Sequence, residues 1–380
     1  IPLFIMAGSL MNYGGIGKKL IDVVEKVVGT IKGGLAVVSI VSCAVFGAIS
    51  GSSSATLTAI GSIMSDKLKE NGYPRGFVAS LLAASGILGI LIPPSMLMIL
   101  YAWAGNVSVL ASFLAAVVPG IMLTVGMSIF AIIYLKNDKN VIVYTKEELS
   151  AMKLEEKRIR KENKEFGSLP AVIMPIIVLG GIYSGMLTPT ESAGVSVIYA
   201  AFIGMFIYKK LNFKLIKSTL VRASVTTGVI MMMMLCMQML ARLFVTYNLP
   251  QYILEALMAV STNKNVILLL INIFMIILGM LMDDTSATLL ATPILLPVVT
   301  QIGVDPIHFA AILGVNIGMG NITPPTAPLL YLSSSITQTP VKEMLKPTFL
   351  LIVFCWLPVL AIVTFFPQTV MWLPRLVLGY

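Results

Sequence analysis

Apolar runs dominate this chain, and short polar clusters interrupt them at only a few places. Runs of about 20 apolar residues cross a bilayer as helices. The pattern predicts such spans at 108–135, 169–187, 191–208, 218–247 and 341–366. Two shorter pairs, 35–49 with 55–65 and 266–282 with 287–300, are each divided by a polar tip. Each pair reads as two half-length helices that turn back on one another, a re-entrant hairpin. Two further runs, 76–104 and 307–336, contain Pro93-Pro94 and Pro324-Pro325. Proline removes a hydrogen-bond donor and clashes with the preceding turn, so each run predicts a broken helix. The opening apolar stretch ends near Asn12 and is too short to span, so transmembrane residues are expected upstream of Ile1.

The interruptions occur twice, in the same order. Ser52-Ser53-Ser54-Ala55-Thr56-Leu57 returns as Asp284-Thr285-Ser286-Ala287-Thr288-Leu289. Gly89, followed by Pro93-Pro94-Ser95, returns as Gly320, followed by Pro324-Pro325-Thr326, at almost the same offset. Repeated helix-breaking motifs in an apolar chain mark a transporter built from internal repeats. The repeats are 1–135 and 234–366. Residues 136–233 hold a linker, two spans and the start of a long helix, and 367–380 form a tail.

Composition fixes the class. Of the residues, 57% are hydrophobic and 11% charged, against about 25% charged in soluble domains. The fold class is therefore an all-α integral membrane protein with inverted-topology repeats, two re-entrant helical hairpins and two discontinuous helices. Cys43, Cys236 and Cys355 lie far apart in apolar runs, so neither disulfides nor a transition-metal site is expected. No phosphate loop or Ser-His-Asp set is present, so the chain reads as a non-enzyme.

The net charge of +9 sits in loops and points to membrane orientation, not to nucleic acid. On the predicted topology, loops 13–34, 66–75, 136–168, 209–217 and 337–346 share one side and carry 22 of the 26 basic residues. That side is expected to be cytoplasmic, and the C-terminus periplasmic. Linker 136–168, with nine basic and seven acidic residues, reads as a cytoplasmic surface helix. Two spans separate the repeats, so the second enters the membrane upside down. The first hairpin then opens from the cytoplasm and the second from outside.

The tips carry the chemistry. Unpaired polar groups at membrane depth must line a cavity or be buried in protein. Half-helix C-termini suit a cation and half-helix N-termini an anion. The Pro-Pro breaks free carbonyls one turn earlier, at Gly89 and Ile92 and at Gly320 and Thr323. Each tip is expected to meet the break of its own repeat, which gives two cation sites. Substrate is expected between the tips, at Ser54, Thr56, Asp283, Asp284, Thr285, Ser286 and Asn321. A carboxylate at the bilayer centre costs about 2.5–3.5 kcal/mol, so Asp283 and Asp284 are functional candidates. Ion binding, substrate binding and helix capping stay open for both, with the larger share of the site role on Asp283. Thr188-Pro189-Thr190-Glu191 reads as a capping box.

Four motifs in order resemble the large membrane subunit of tripartite ATP-independent periplasmic (TRAP) transporters. They are Gly47-Ala48-Ile49-Ser50-Gly51-Ser52-Ser53, Ile92-Pro93-Pro94-Ser95, the run from Gly185 to Ala193, and Thr292-Pro293-Ile294-Leu295-Leu296-Pro297. The resemblance implies an elevator-type, ion-transporter-superfamily-like importer of organic acids such as sialic acid, C4-dicarboxylates or sugar acids, driven by sodium in a bacterial inner membrane. It implies three partners besides the bilayer: a small four-helix membrane subunit, a periplasmic substrate-binding protein and the organic acid. It assigns one sodium site to Ser52, Ser53, Gly89, Ile92 and Pro94, and the other to Gly279, Gly320, Thr323 and Thr326. The hairpins would move against a scaffold of 108–135, 169–208, 218–247 and 341–366. A cation/proton antiporter using Asp283 or Asp284 is the rival reading, and a passive channel a third.

Overall fold

A computed structural model describes residues 1–28, 33–138, 140–142 and 167–379, and every regular element among them is helical. Residues 143–166, most of the expected surface helix, lie outside the described residues.

Both hairpins form. The inbound arm of the first, Gly34–Ser50, stops at Gly51, whose φ of +64° is left-handed and suits glycine. Ser52 then caps the outbound arm Ser53–Glu70, its Oγ accepting the Ala55 N–H at 3.4 Å. The second hairpin runs in along Lys264–Leu281 and out along Asp284–Gln301, with Met282 extended and Asp283 as N-cap. Both breaks form as well. Arg75–Gly86 and Leu88–Leu91 precede the first proline pair, Met96–Gly105 follows it, and the axis bends by 46°. Pro306–Gly320 and Pro328–Thr337 flank the second.

The repeats interlock. The second half of each broken helix lies on the outbound arm of the other repeat's hairpin: Met96–Gly105 on Asp284–Gln301, and Pro328–Thr337 on Ser53–Glu70. The broken helices also cross each other. A Cβ on Gly314 would sit 2.6 Å from Met98 Cε and 3.1 Å from Leu91 Cδ2. Tyr101 donates to the Pro306 carbonyl at 2.6 Å, and Ser333 to the Ala79 carbonyl at 2.7 Å.

Two spans expected in the scaffold pack with the hairpins instead. Val341–Phe365 lies along the first broken helix, where Ser80 donates to the Met344 carbonyl at 2.9 Å and Thr348 to Ser80 Oγ at 3.0 Å. At its far end Asn272 Nδ2 donates to Thr364 at 2.9 Å, and His308 Nε2 lies 2.7 Å from the Val363 carbonyl. Val109–Leu135 packs on Gly34–Ser50 and Pro306–Gly320. Leu169–Tyr183 and Pro189–Ile207 pack on each other, and Pro189–Phe202 packs on the opening helix Pro2–Tyr13, which also carries Phe213–Thr246. Hydropathy measures how apolar a helix is, not which neighbour its small residues fit. That is why the sequence pattern alone does not show 108–135 and 341–366 packing with the hairpins.

Three helices were not expected: Ile16–Val28, Leu249–Val260 and Gln368–Leu378. The first two end at Val28 and Val260, which are offset in sequence just as Ser52 and Asp284 are, so they are counterparts within the repeat. Each joins an outer helix to a hairpin.

The box at Thr188 is present: Glu191 N–H donates to Thr188 Oγ1 at 3.2 Å, and Thr188 N–H to Glu191 Oε2 at 2.8 Å. Thr188→Ala is expected to cost about 1 kcal/mol of stability and to leave transport rates unchanged. Thermal unfolding in detergent and uptake assays read the two effects separately.

Candidate functional site between the hairpin tips

Each tip meets the break of its own repeat through a pair of glycines. A Cβ on Gly47 would lie 2.6 Å from Gly89 Cα, and a Cβ on Gly320 would lie 2.6 Å from Gly279 Cα. Gly47 and Gly279 occupy equivalent places in the two repeats, as do Gly89 and Gly320, so the crossing is the same in both halves. Gly47 was missing from the sequence-based site, although its offset from Gly279 marks it.

Around Gly89 the first cluster is built of oxygen atoms. A Cβ there would stand 2.5 Å from Thr56 Oγ1 and 2.6 Å from the Ser52 carbonyl oxygen. Thr56 Oγ1 is 2.8 Å from Ser50 Oγ. Pro93 has no N–H for the Gly89 carbonyl four residues back, whereas the Ile90 carbonyl accepts the Ser95 hydroxyl at 2.5 Å. The break is tied to the tip, since Met96 N–H donates to the Gly51 carbonyl at 3.0 Å and a Cβ on Gly51 would lie 2.7 Å from the Pro94 carbonyl oxygen. Ile92 is extended, and Ser53 and Pro94 are buried. Hard cations prefer such an all-oxygen donor set. Among the described residues no group of three His, Cys, Asp or Glu side chains could hold a transition metal.

The second cluster is looser. The Gly320 carbonyl is not left free, because it accepts Thr323 N–H at 2.9 Å, and Thr323 Oγ1 donates to the Met319 carbonyl at 2.6 Å. With the Asn321 amide nitrogen turned toward them, the carbonyls of Gly279 and Met282 lie 3.3 and 3.2 Å away. Asn321 therefore straps the second tip to its break and does not face the space between the tips. Thr56, also expected on the substrate side, sits beneath the first tip against Gly89. Thr326 is exposed, whereas its counterpart Ser95 is buried.

The two tips touch. Ser53 Oγ donates to Asp284 Oδ2 at 2.5 Å, across 231 residues of sequence. Asp284 Oδ1 accepts Thr285 N–H at 3.0 Å. Asp283 turns back on its own helix and accepts Thr285 N–H at 3.1 Å, Ser286 N–H at 3.4 Å and the Ser286 hydroxyl. The weighting of the two acids is thereby reversed: Asp283 is the cap, and Asp284 reaches the opposite tip. Neighbours on a helix point about 100° apart, so one residue can cap while the next crosses. Among the described residues no lysine or arginine pairs with either carboxylate.

Access to the tips differs between the halves. Ser54, Thr58, Ser62 and Asp66 form an exposed row, one per turn, along the first hairpin. Their counterparts in the second repeat are Ser286, Leu290, Ile294 and Val298, all half-buried or buried. A fully buried polar group lies deeper, where Asn316 Nδ2 donates to Asn272 Oδ1 at 3.0 Å and to the Ile312 carbonyl at 2.8 Å. Neither asparagine was expected, since a lone asparagine in an apolar run carries no spacing signal.

A family model described as "Tripartite ATP-independent periplasmic transporter, DctM component" matches residues 1–369. The chain belongs to this family. Among its DctM relatives, the C4-dicarboxylate TRAP transporter large permease protein DctM of Pseudomonas aeruginosa is 35% identical over 99% of this chain and 85% of its own length. The sialic acid TRAP transporter large permease protein SiaM of Vibrio cholerae is 32% identical over 100% of this chain and 86% of its own. The isethionate TRAP transporter permease protein DctMQ of Oleidesulfovibrio alaskensis is 33% identical over 97% of this chain, which spans 56% of that protein. Among solved structures, the Alcanivorax borkumensis YdaH transporter, described as having an unusual topology, superposes with a TM-score of 0.63 over 96% of this chain and 85% of its own. At 14% identity it speaks for the fold alone. The chain is thus the DctM component of a tripartite ATP-independent periplasmic transporter, and its described residues include helices long and apolar enough to cross a membrane.

Proposed function

We propose that this DctM permease imports an organic acid by sodium-coupled secondary transport, with an elevator movement of the hairpin body. The observation that carries the reading is the contact between two polar tips, each backed by an oxygen-lined helix break. Sodium at Ser52, Ser53, Gly89, Ile92 and Pro94, and at Gly279, Gly320, Thr323 and Thr326, would order the tips around the substrate. The moving body would comprise 34–135 and 264–365, which interlock. The outer helices 1–28, 169–207 and 213–260 would stay fixed. The fused DctMQ relative and the family description support a small membrane subunit and a periplasmic binding protein as partners. The count of basic loop residues supports an inner-membrane orientation with linker 136–168 cytoplasmic and the C-terminus periplasmic.

The double variant Ser53→Ala, Thr323→Ala tests the site. Sodium-driven uptake into proteoliposomes should fall at least ~tenfold, since both hydroxyls serve buried polar contacts, while membrane insertion persists. Uptake at the wild-type rate sinks the placement. A second reading, cation/proton antiport through Asp284, draws on the absence, among the described residues, of a basic partner for that carboxylate. Sodium and pH gradients imposed separately discriminate, because a symporter of this kind responds to the sodium gradient alone.

A further inference from the structure

Two stretches far apart in sequence bring basic side chains to one corner of the outer helices. Arg222, on Phe213–Thr246, donates to the Tyr13 hydroxyl at 2.9 Å, at the end of the opening helix. Lys19, on Ile16–Val28, lies 6.0 Å from the centre of the Tyr208 ring. A Cβ on Gly15 would stand 3.3 Å from Lys210 Cγ. The N–H groups of Lys210 and Leu211 both donate to the Gly204 carbonyl, at 2.9 and 3.0 Å, which pins the turn that carries Lys209 and Lys210. Lys18, Lys209, Lys210, Lys214, Lys217 and Arg222 are all exposed, and among the described residues none of the six forms an ion pair. On Ile16–Val28 the acids are engaged: Glu25 pairs with Lys67, and Asp22 has a partner too. No acid at all occurs from 192 to 254. The corner does not need this charge to fold. Its equivalent in the second repeat is built on Leu249–Val260, where Pro250 and Gln251 stand in place of Lys18 and Lys19.

The basic rim runs straight into an apolar ridge. Phe213, Lys217, Val221, Val225 and Val229 follow one another at intervals of four along Phe213–Thr246, the spacing of a ridge on a helix surface. All are exposed, Phe213 by 81% and Val225 by 63%. Charge at one end and aliphatic surface along the rest is the order of groups in a lipid, headgroup and then acyl chain. A soluble anion would use the rim and leave the ridge bare. We infer that this corner seats an anionic phospholipid, its phosphate among Lys210, Lys214 and Lys217 and its acyl chain along Val221, Val225 and Val229. Clusters of about four to eight basic residues beside a membrane-crossing helix attract anionic headgroups. Lysine suits the place, since its stem lies on apolar surface while its ammonium reaches the headgroup level. The seat adjoins the opening helix, Ile16–Val28 and Phe213–Thr246 together, so a lipid there braces the outer helices on one another. The inference does not depend on sodium coupling.

Thermal unfolding of the detergent-purified membrane complex, titrated with cardiolipin, phosphatidylglycerol or phosphatidylcholine, tests it. Stabilisation should set in at a concentration of either anionic lipid at least ~tenfold below that of phosphatidylcholine, since each basic residue near a negative headgroup adds to the attraction. Raising the salt should narrow that advantage, because exposed charges are screened. In the variant Lys214→Gln, Lys217→Gln it should shrink to about threefold or less, on the same count of charges. The control variant Lys342→Gln, Lys346→Gln removes two exposed charges elsewhere and should keep it. Equal potency of the three lipids on the wild type overturns the inference. So does an advantage kept in full by Lys214→Gln, Lys217→Gln, or lost to the same extent in the control. Inorganic phosphate that stabilises the wild type at the concentration of the anionic lipids overturns it as well, because the corner would then take a soluble anion.

Discussion

Gly89→Ala is expected to remove uptake and to cut the yield of folded permease, and Gly320→Ala to do the same through the other repeat. The methyl group has nowhere to go. At Gly89 it would stand 2.5 Å from Thr56 Oγ1 and 2.6 Å from the Ser52 carbonyl. At Gly320 it would stand 2.6 Å from both Cα and the carbonyl carbon of Gly279 and 2.8 Å from the Ile276 carbonyl oxygen. Most of these obstacles are backbone, which cannot rotate away as a side chain does. Overpacking a tight core costs about 1–3 kcal/mol or more, and here the shift opens the oxygen cluster that the crossing shapes. Gly126→Ala is the control. Nothing lies within 4 Å of its added Cβ, and alanine in a helix gains up to about 1 kcal/mol over glycine. Size-exclusion profiles and uptake read both effects. Wild-type yield and uptake in Gly89→Ala would show that the crossing is not needed.

Asn316→Leu is expected to be the most damaging single change away from the tips. Asn316 is fully buried and is the donor to Asn272 Oδ1. Leucine keeps the bulk and leaves that buried oxygen unpaired, at a cost of about 1–3 kcal/mol. The companion variant makes the test sharp. Replacing both asparagines by leucine, and Thr364, which accepts from Asn272 Nδ2, by valine, removes all the side-chain partners together, which is close to neutral when shape is kept. Thermal unfolding should therefore show the triple variant recovering most of what Asn316→Leu loses. Additive losses would mean that the pair contributes through packing alone.

Much of this was legible in the chain because its informative residues are out of place. Serines, aspartates and paired prolines inside apolar runs announce helix ends, and a second copy in the same order excludes accident. The hairpins, the breaks and the membrane class followed. Other features left no such mark. Ile16–Val28 and Leu249–Val260 are amphipathic, and their charged or interrupted faces resemble loop. The roles of Asp283 and Asp284 depend on a rotation between neighbours that composition does not carry. The pairing of Gly47 with Gly89 follows from offset arithmetic only once one knows that the arm and the break cross. The place of 109–135 and 341–365 depends on contacts such as Ser80 with Met344, which span 264 residues.

The row Ser54, Thr58, Ser62 and Asp66 has drifted from its partner row more than the tips have. One copy carries a polar group on each turn, while the other carries Leu290, Ile294 and Val298. The first row faces outward, whereas Ile294 and Val298 of the second are packed inside the protein. The duplicated arms therefore serve unlike surroundings: one offers a polar face to whatever lies beside it, and the other uses the same turns to hold the core together.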